Sequence, residues 1–107
     1  MSTKKNRPRS SAMRLLDNII GEPLNLGGTM RSIRECEKVS QSEMAKRLGI
    51  SRAHLCDIEK GRRIVSPARA AKFARELGYS ETQFVRLAIQ DQVTEAGLKM
   101  KVKVEAA

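Results

Sequence analysis

Few residues in this 107-residue chain can do chemistry, and their spacing favours binding over catalysis. The single histidine, His54, cannot complete a zinc site with Cys36 and Cys56 on any common spacing. The two cysteines lack a CxxC arrangement, form no disulfide framework and read as small helix residues. No phosphate-cradling glycine loop is present, and no nucleophile or acid can be paired with a base. The chain is therefore expected not to be an enzyme and to need no metal and no cofactor. The remaining chemistry is that of cations. Arg52, Lys60, Arg62 and Arg63 fall in and just after the stretch QSEMAKRLGISRAHLCDIEKG, from Gln41 to Gly61. Guanidinium and ammonium groups gathered this way suit phosphates and base edges.

The charge balance agrees. Twenty-one Lys and Arg against twelve Asp and Glu give a net charge of +9, which points to a polyanionic partner. Residues 26–79 carry twelve basic and six acidic groups, whereas residues 80–107 carry four of each. The positive field thus sits ahead of residue 80 and leaves the last quarter for another task. No apolar run approaches the roughly 20 residues of a membrane span. The basic N-terminal residues lack the apolar core of a secretion signal. A soluble cytoplasmic location is the expectation.

These cations must be held by helices. Hydrophobic residues make up 40% of the chain but aromatics only 3%, so the core must come from Leu, Ile, Met, Val and Ala. That chemistry favours an all-α bundle of four to five helices. Residues 1–10 read as a flexible basic arm. Ala12, Leu15, Leu16, Ile19 and Ile20 then define one face of a short helix within 11–25. Thr29 is expected to cap the next helix, through Met30 and Ile33. Ser40 with Glu43 forms a capping box for a helix that carries Met44, Ala45 and Leu48 inward and ends at Gly49. Ser51 caps a helix with Leu55 and Ile58 inside. Ser66-Pro67 opens another with Ala70, Phe73, Ala74 and Leu77 inside, and Ser80 opens the last, with Phe84, Leu87 and Ala88. The tail Leu98, Met100, Val102 and Val104 alternates with lysines at the period of a short C-terminal β-strand.

Two short helices meeting across Leu48-Gly49-Ile50-Ser51 form a helix-turn-helix, with glycine where a left-handed backbone is easiest. The small Ala45 lets the helices approach closely. Burying Ile50, Leu55 and Ile58 leaves Arg52, Ala53, His54 and Asp57 on the outward surface. A helix of this length fits the DNA major groove, and Lys60, Arg62 and Arg63 are placed to grip phosphate as the chain leaves it.

The set Gln41, Ala45, Gly49, Ile50, Leu55, Ile58 and Glu59-x-Gly61 resembles the XRE family of helix-turn-helix domains, which includes the Cro-like phage repressors. The resemblance covers about Leu26 to Leu87. It implies a lambda-repressor-like domain over 26–88 whose third core helix reads bases in double-stranded DNA. Arg52, Ala53 and Asp57 occupy the base-reading positions, with His54 and Ser51 beside them. By the same resemblance Gln41 contacts a phosphate and braces the reading helix, and Arg34 pairs with Glu59. Asp57 stands where the family often has an amide, which suits it either to accept from a cytosine amino group or to orient Arg52. Ala53 offers only its methyl.

A regulator of this kind is expected to pair two copies on a pseudo-palindrome. Residues 89–107, with an apolar surface of Phe84, Val85, Leu87 and Ala88 and the edge Leu98, Met100, Val102 and Val104, are the expected dimer or partner region. The alternative is an antitoxin, which keeps the same DNA contact and uses the appendages to hold a toxin protein.

Overall fold

The computed structural model describes residues 25–107. The basic arm over 1–10 and the helix expected over Ala12–Ile20 lie outside the described residues. Five helices follow one another: α1 (Leu26–Cys36), α2 (Gln41–Leu48), α3 (Arg52–Glu59), α4 (Pro67–Leu77) and α5 (Glu81–Glu95).

The local signals that set the helix starts are mostly serines. Ser40, Ser51, Ser66 and Ser80 each lie in extended backbone and accept from the amide three residues on, so an otherwise unpaired donor is satisfied. Pro67 fills the first position of α4, where a missing N–H is harmless. Gly49 ends α2 at φ 73°, and Ile50 N then donates to Ala45 O at 3.0 Å, which turns the chain sharply into α3.

The start of α1 differs from expectation. Asn25 is its cap, accepting from Gly28 N, and the helix begins at Leu26. Thr29 instead lies fully buried within the helix. A tertiary contact also holds the helix start: the Leu26 amide donates to a carboxylate oxygen of Asp91 from α5 at 3.1 Å.

The apolar faces meet in one core. Met30 and Ile33, Met44 and Leu48, Leu55 and Ile58, Phe73 and Leu77, and Phe84 and Leu87 are all buried. Leu26 and Val65 join them. The most extensive helix pair is α4 with α5, while α3 packs on both α1 and α2. Phe84, Leu87 and Ala88 therefore face inward, and the expectation of an outward surface at these three is corrected. Only Val85 of that group is partly exposed.

The expected C-terminal strand is likewise absent among the described residues. A strand needs a ladder partner, and residues 98–107 have none among the described residues. The tail is anchored by a side chain instead. Gln90 Nε2 donates to the Met100 carbonyl and Gln90 Oε1 accepts from Val102 N, both at 2.8 Å.

Asp91 carries a pH signature. Burial pushes its carboxyl above the ordinary value, and the Leu26 amide only partly opposes this. A carboxyl raised in the folded state makes stability greatest at low pH and lowers it as pH rises through the raised value. Asp91→Asn keeps an acceptor for Leu26 and removes the buried charge. Its stability advantage over wild type is expected to be largest at neutral pH and to shrink as pH falls toward the ordinary carboxylate range. Paired urea melts at several pH values check this, and a gap independent of pH would contradict it.

Candidate nucleic-acid interface

Four side chains form a continuous relay from the core to the surface. Arg34 in α1 donates from Nε to Glu59 Oε2 at 2.8 Å and from Nη2 to Glu59 Oε1 at 3.1 Å. Its remaining Nη1 donates to the Val39 carbonyl at 3.1 Å, so the guanidinium is fixed on three sides. Hydrogen bonding to Glu59, opposed by partial burial, raises the Arg34 pKa further. The Glu59 side chain is only 2% exposed and that of Arg34 15%.

The same Glu59 Oε1 accepts from Gln41 Nε2 at 2.9 Å, and Gln41 Oε1 accepts from Arg52 Nη1 at 3.2 Å. Carboxylates only accept and guanidiniums only donate, so the orientation of the Gln41 amide follows from its two partners. Arg52, at the first position of α3, is thereby held over the exposed end of that helix.

The other predicted residues fall around it. Ser51 caps α3 by accepting from His54 N at 3.0 Å, which leaves its hydroxyl proton free to donate outward. Ala53 is exposed and Asp57 is partly exposed. Lys60, Arg62 and Arg63 are exposed along the segment leaving α3. Asp57 does not orient Arg52, which Gln41 holds. It pairs instead with Arg62, whose Nη1 lies 3.4 Å from Asp57 Oδ1.

His54 behaves differently from a surface cation. Its pKa is lowered first by burial, then by the charges of Arg63 and Arg69, with Asp57 pulling the other way. At neutral pH it is an uncharged imidazole that can offer a hydrogen bond but little positive field. Arg69, in the first turn of α4, thus joins the basic cluster, and sequence reasoning missed it. The signal was its place three residues after the Ser66 cap, on a helix N-terminus that itself favours anions.

Comparison with known proteins identifies the domain that carries this arrangement. A family model described as helix-turn-helix fits residues 30–84, just over half of the chain. The chain belongs to the XRE-type helix-turn-helix family. The matched span of this XRE-type protein runs from α1 into α5 and includes every member of the relay. The chain is also similar to the "ImmF control region 10 kDa protein" of Bacillus phage phi105, 41% identical over 49 residues. Those residues make up 46% of this chain and 54% of the phage protein, so the likeness spans about half the length of each. No solved structure matches the XRE-type chain significantly. Among the described residues no helix is long and apolar enough to cross a membrane.

Proposed function

We propose that this XRE-type protein is a sequence-specific transcriptional regulator, acting as a repressor, that binds a pseudo-palindromic DNA site as a homodimer with α3 in the major groove. The observation that carries the reading is the relay Arg34–Glu59–Gln41–Arg52. It spends a buried ion pair on fixing one exposed guanidinium, and a fixed guanidinium is what bidentate reading of guanine requires. Ala53 presents a methyl beside it, and Gln41, Ser51, Lys60, Arg62 and Arg63 take phosphates. The printed name of the phage relative, a control-region protein, supports a regulatory role.

Pairing of two copies follows from the small number of bases one domain can read. The exposed large hydrophobics among the described residues are Leu98, 48% exposed, and Met100, 64% exposed. Both lie on the tail that Gln90 pins. Together with the partly buried Val85, Val102 and Val104 they form the surface assigned to a second copy. The same exposed pair also supports the antitoxin reading, in which a toxin protein covers it.

Binding to pooled genomic fragments, followed by a salt titration on the best one, tests the proposal. Four to six phosphate contacts per protomer give a log–log slope of roughly −7 to −11 for a dimer. One dominant palindromic site whose preference is lost in Arg52→Ala supports the reading. Weak binding of every fragment alike overturns it. Deleting residues 98–107 is expected to yield a monomer by analytical ultracentrifugation, with a matching fall in affinity for the palindrome. An unchanged dimer mass would remove the tail from the interface, and co-purification of a small partner protein with the full chain would favour the antitoxin reading.

A further inference from the structure

Asp57 is out of place on a surface that otherwise attracts phosphate. In the stretch from Ser51 to Arg63 the acidic residues are Asp57 and Glu59, and Glu59 is buried against Arg34. Asp57 is thus the one carboxylate that α3 presents outward. It lies four residues after Ala53, on the same helix face. A negative group there opposes the approach of any DNA, so it needs a compensating gain on a particular DNA. Arg62 is its partner at 3.4 Å, with the two side chains 36% and 64% exposed. A pair so open to water is held weakly, and the backbone fixes only its starting point, through Arg62 N donating to Asp57 O at 2.8 Å.

Building on the DNA-reading role proposed above, we infer that Asp57 and Arg62 form an exchangeable pair that couples recognition of a cytosine amino group to one additional phosphate contact. Opposite guanine or thymine the Asp57 carboxylate has no donor to meet, opposite adenine the N7 acceptor beside the amino group opposes it, and in each case Arg62 stays beside it to screen its charge. Cytosine presents an amino donor in the major groove with no acceptor of its own beside it. A carboxylate is an acceptor only, so it can replace the Arg62 bond with one from cytosine and is repelled by the acceptor edges of guanine and thymine. Arg62, released from the pair, then reaches a phosphate as the chain leaves the groove. Base choice and backbone grip are thereby linked through one weak ion pair. Asp57 selects, and Arg62 amplifies.

The test uses the full chain, its preferred fragment and a scrambled fragment of equal length, with anisotropy titrations at several salt concentrations. Arg62→Ala is expected to make the slope on the preferred fragment shallower by about 0.9 per protomer and to leave the slope on the scrambled one unchanged. Asp57→Ala is expected to tighten binding to scrambled DNA. It is also expected to erase a preference of about 5- to 150-fold for cytosine at one position of each half-site. Both substitutions are at accessible positions outside the core, and unchanged melting curves confirm that folding is intact. Equal slope changes on both fragments for Arg62→Ala overturn the coupling. A selective wild type whose Asp57→Ala variant keeps every base preference overturns the assignment of Asp57 while leaving the regulator reading intact. A wild type with no preferred sequence overturns the regulator reading and this inference together.

Discussion

Glu59→Ala is expected to cost about 3–5 kcal/mol of folding stability, the range for breaking a buried ion pair from one side. The loss arises because Arg34 stays behind, mostly buried, with only the Val39 carbonyl to accept from it. Against a total of about 5–15 kcal/mol for a domain of this kind, that is a large share. Urea denaturation measures it, and a loss below about 1 kcal/mol would show that the pair is not the anchor described. Glu59→Gln should fall between, since an amide oxygen can still accept from Arg34 but brings no charge. The functional consequence separates from the structural one in a double variant. Replacing Arg34 and Glu59 together by Met and Leu removes both charges, and such exchanges are often neutral or stabilising. The double variant should therefore recover much of the stability. It should not recover sequence preference, because Gln41 then has no carboxylate to set its amide and Arg52 is no longer held. Stable protein with blurred selectivity is the expected pattern, and full selectivity in the double variant would take the relay out of recognition.

This division explains what could be read from the sequence. Helix caps and the Gly49 turn are local: Ser40, Ser51, Ser66 and Ser80 act on amides three residues away, so they are legible without knowing the fold. The outward placement of Arg52, Ala53 and Asp57 follows from helical period once Leu55 and Ile58 are assigned inward. The Arg34–Glu59 pair came only through family resemblance, since nothing in the spacing of two residues 25 positions apart requires contact. Thr29 misled because a hydroxyl ahead of an apolar run looks like a cap. Asn25, a stronger cap than threonine, holds the Gly28 amide one turn earlier, and Asp91, 65 positions away, takes the Leu26 amide beside it. Phe84, Leu87 and Ala88 misled for a related reason. An apolar helix face looks the same whether its cover is α4 or a second copy. The tail's alternation reads as a strand, yet Leu98 and Met100 are exposed to solvent like the lysines between them, and only Val102 and Val104 are partly buried. Whether it becomes a strand depends on a partner that the described residues do not supply.

Gly27 was also invisible in the sequence, and it gives the second large prediction. It sits in the first turn of α1, where the backbone is helical and alanine is normally the better residue by about 1 kcal/mol. On conformational grounds alone Gly27→Ala should stabilise. The packing says otherwise. A β-carbon there would collide with the carbonyl oxygen of Ile58 and lie 2.9 Å from its carbonyl carbon and 3.3 Å from Glu59 Cα. These are backbone atoms, so no side chain can swing aside, and either α1 or the end of α3 must move. Forcing an extra carbon into such a contact typically costs about 1–3 kcal/mol, enough to cancel or exceed the helix gain. The displacement falls on the residues that matter for binding, because Glu59 anchors Gln41 and through it Arg52. Gly27→Ala is therefore expected to lower the urea midpoint and to weaken sequence preference together. Gly49→Ala is the contrasting case. Space is open around Gly49, but its left-handed φ of 73° disfavours a side chain, so a loss of about 1–2 kcal/mol is expected from backbone strain alone. Asparagine at 49, which tolerates that conformation, should recover part of the loss, whereas asparagine at 27 should fare worse than alanine. A Gly27→Ala protein more stable than wild type would mean that α1 and α3 do not approach this closely, and the relay geometry would have to be rebuilt around a wider gap.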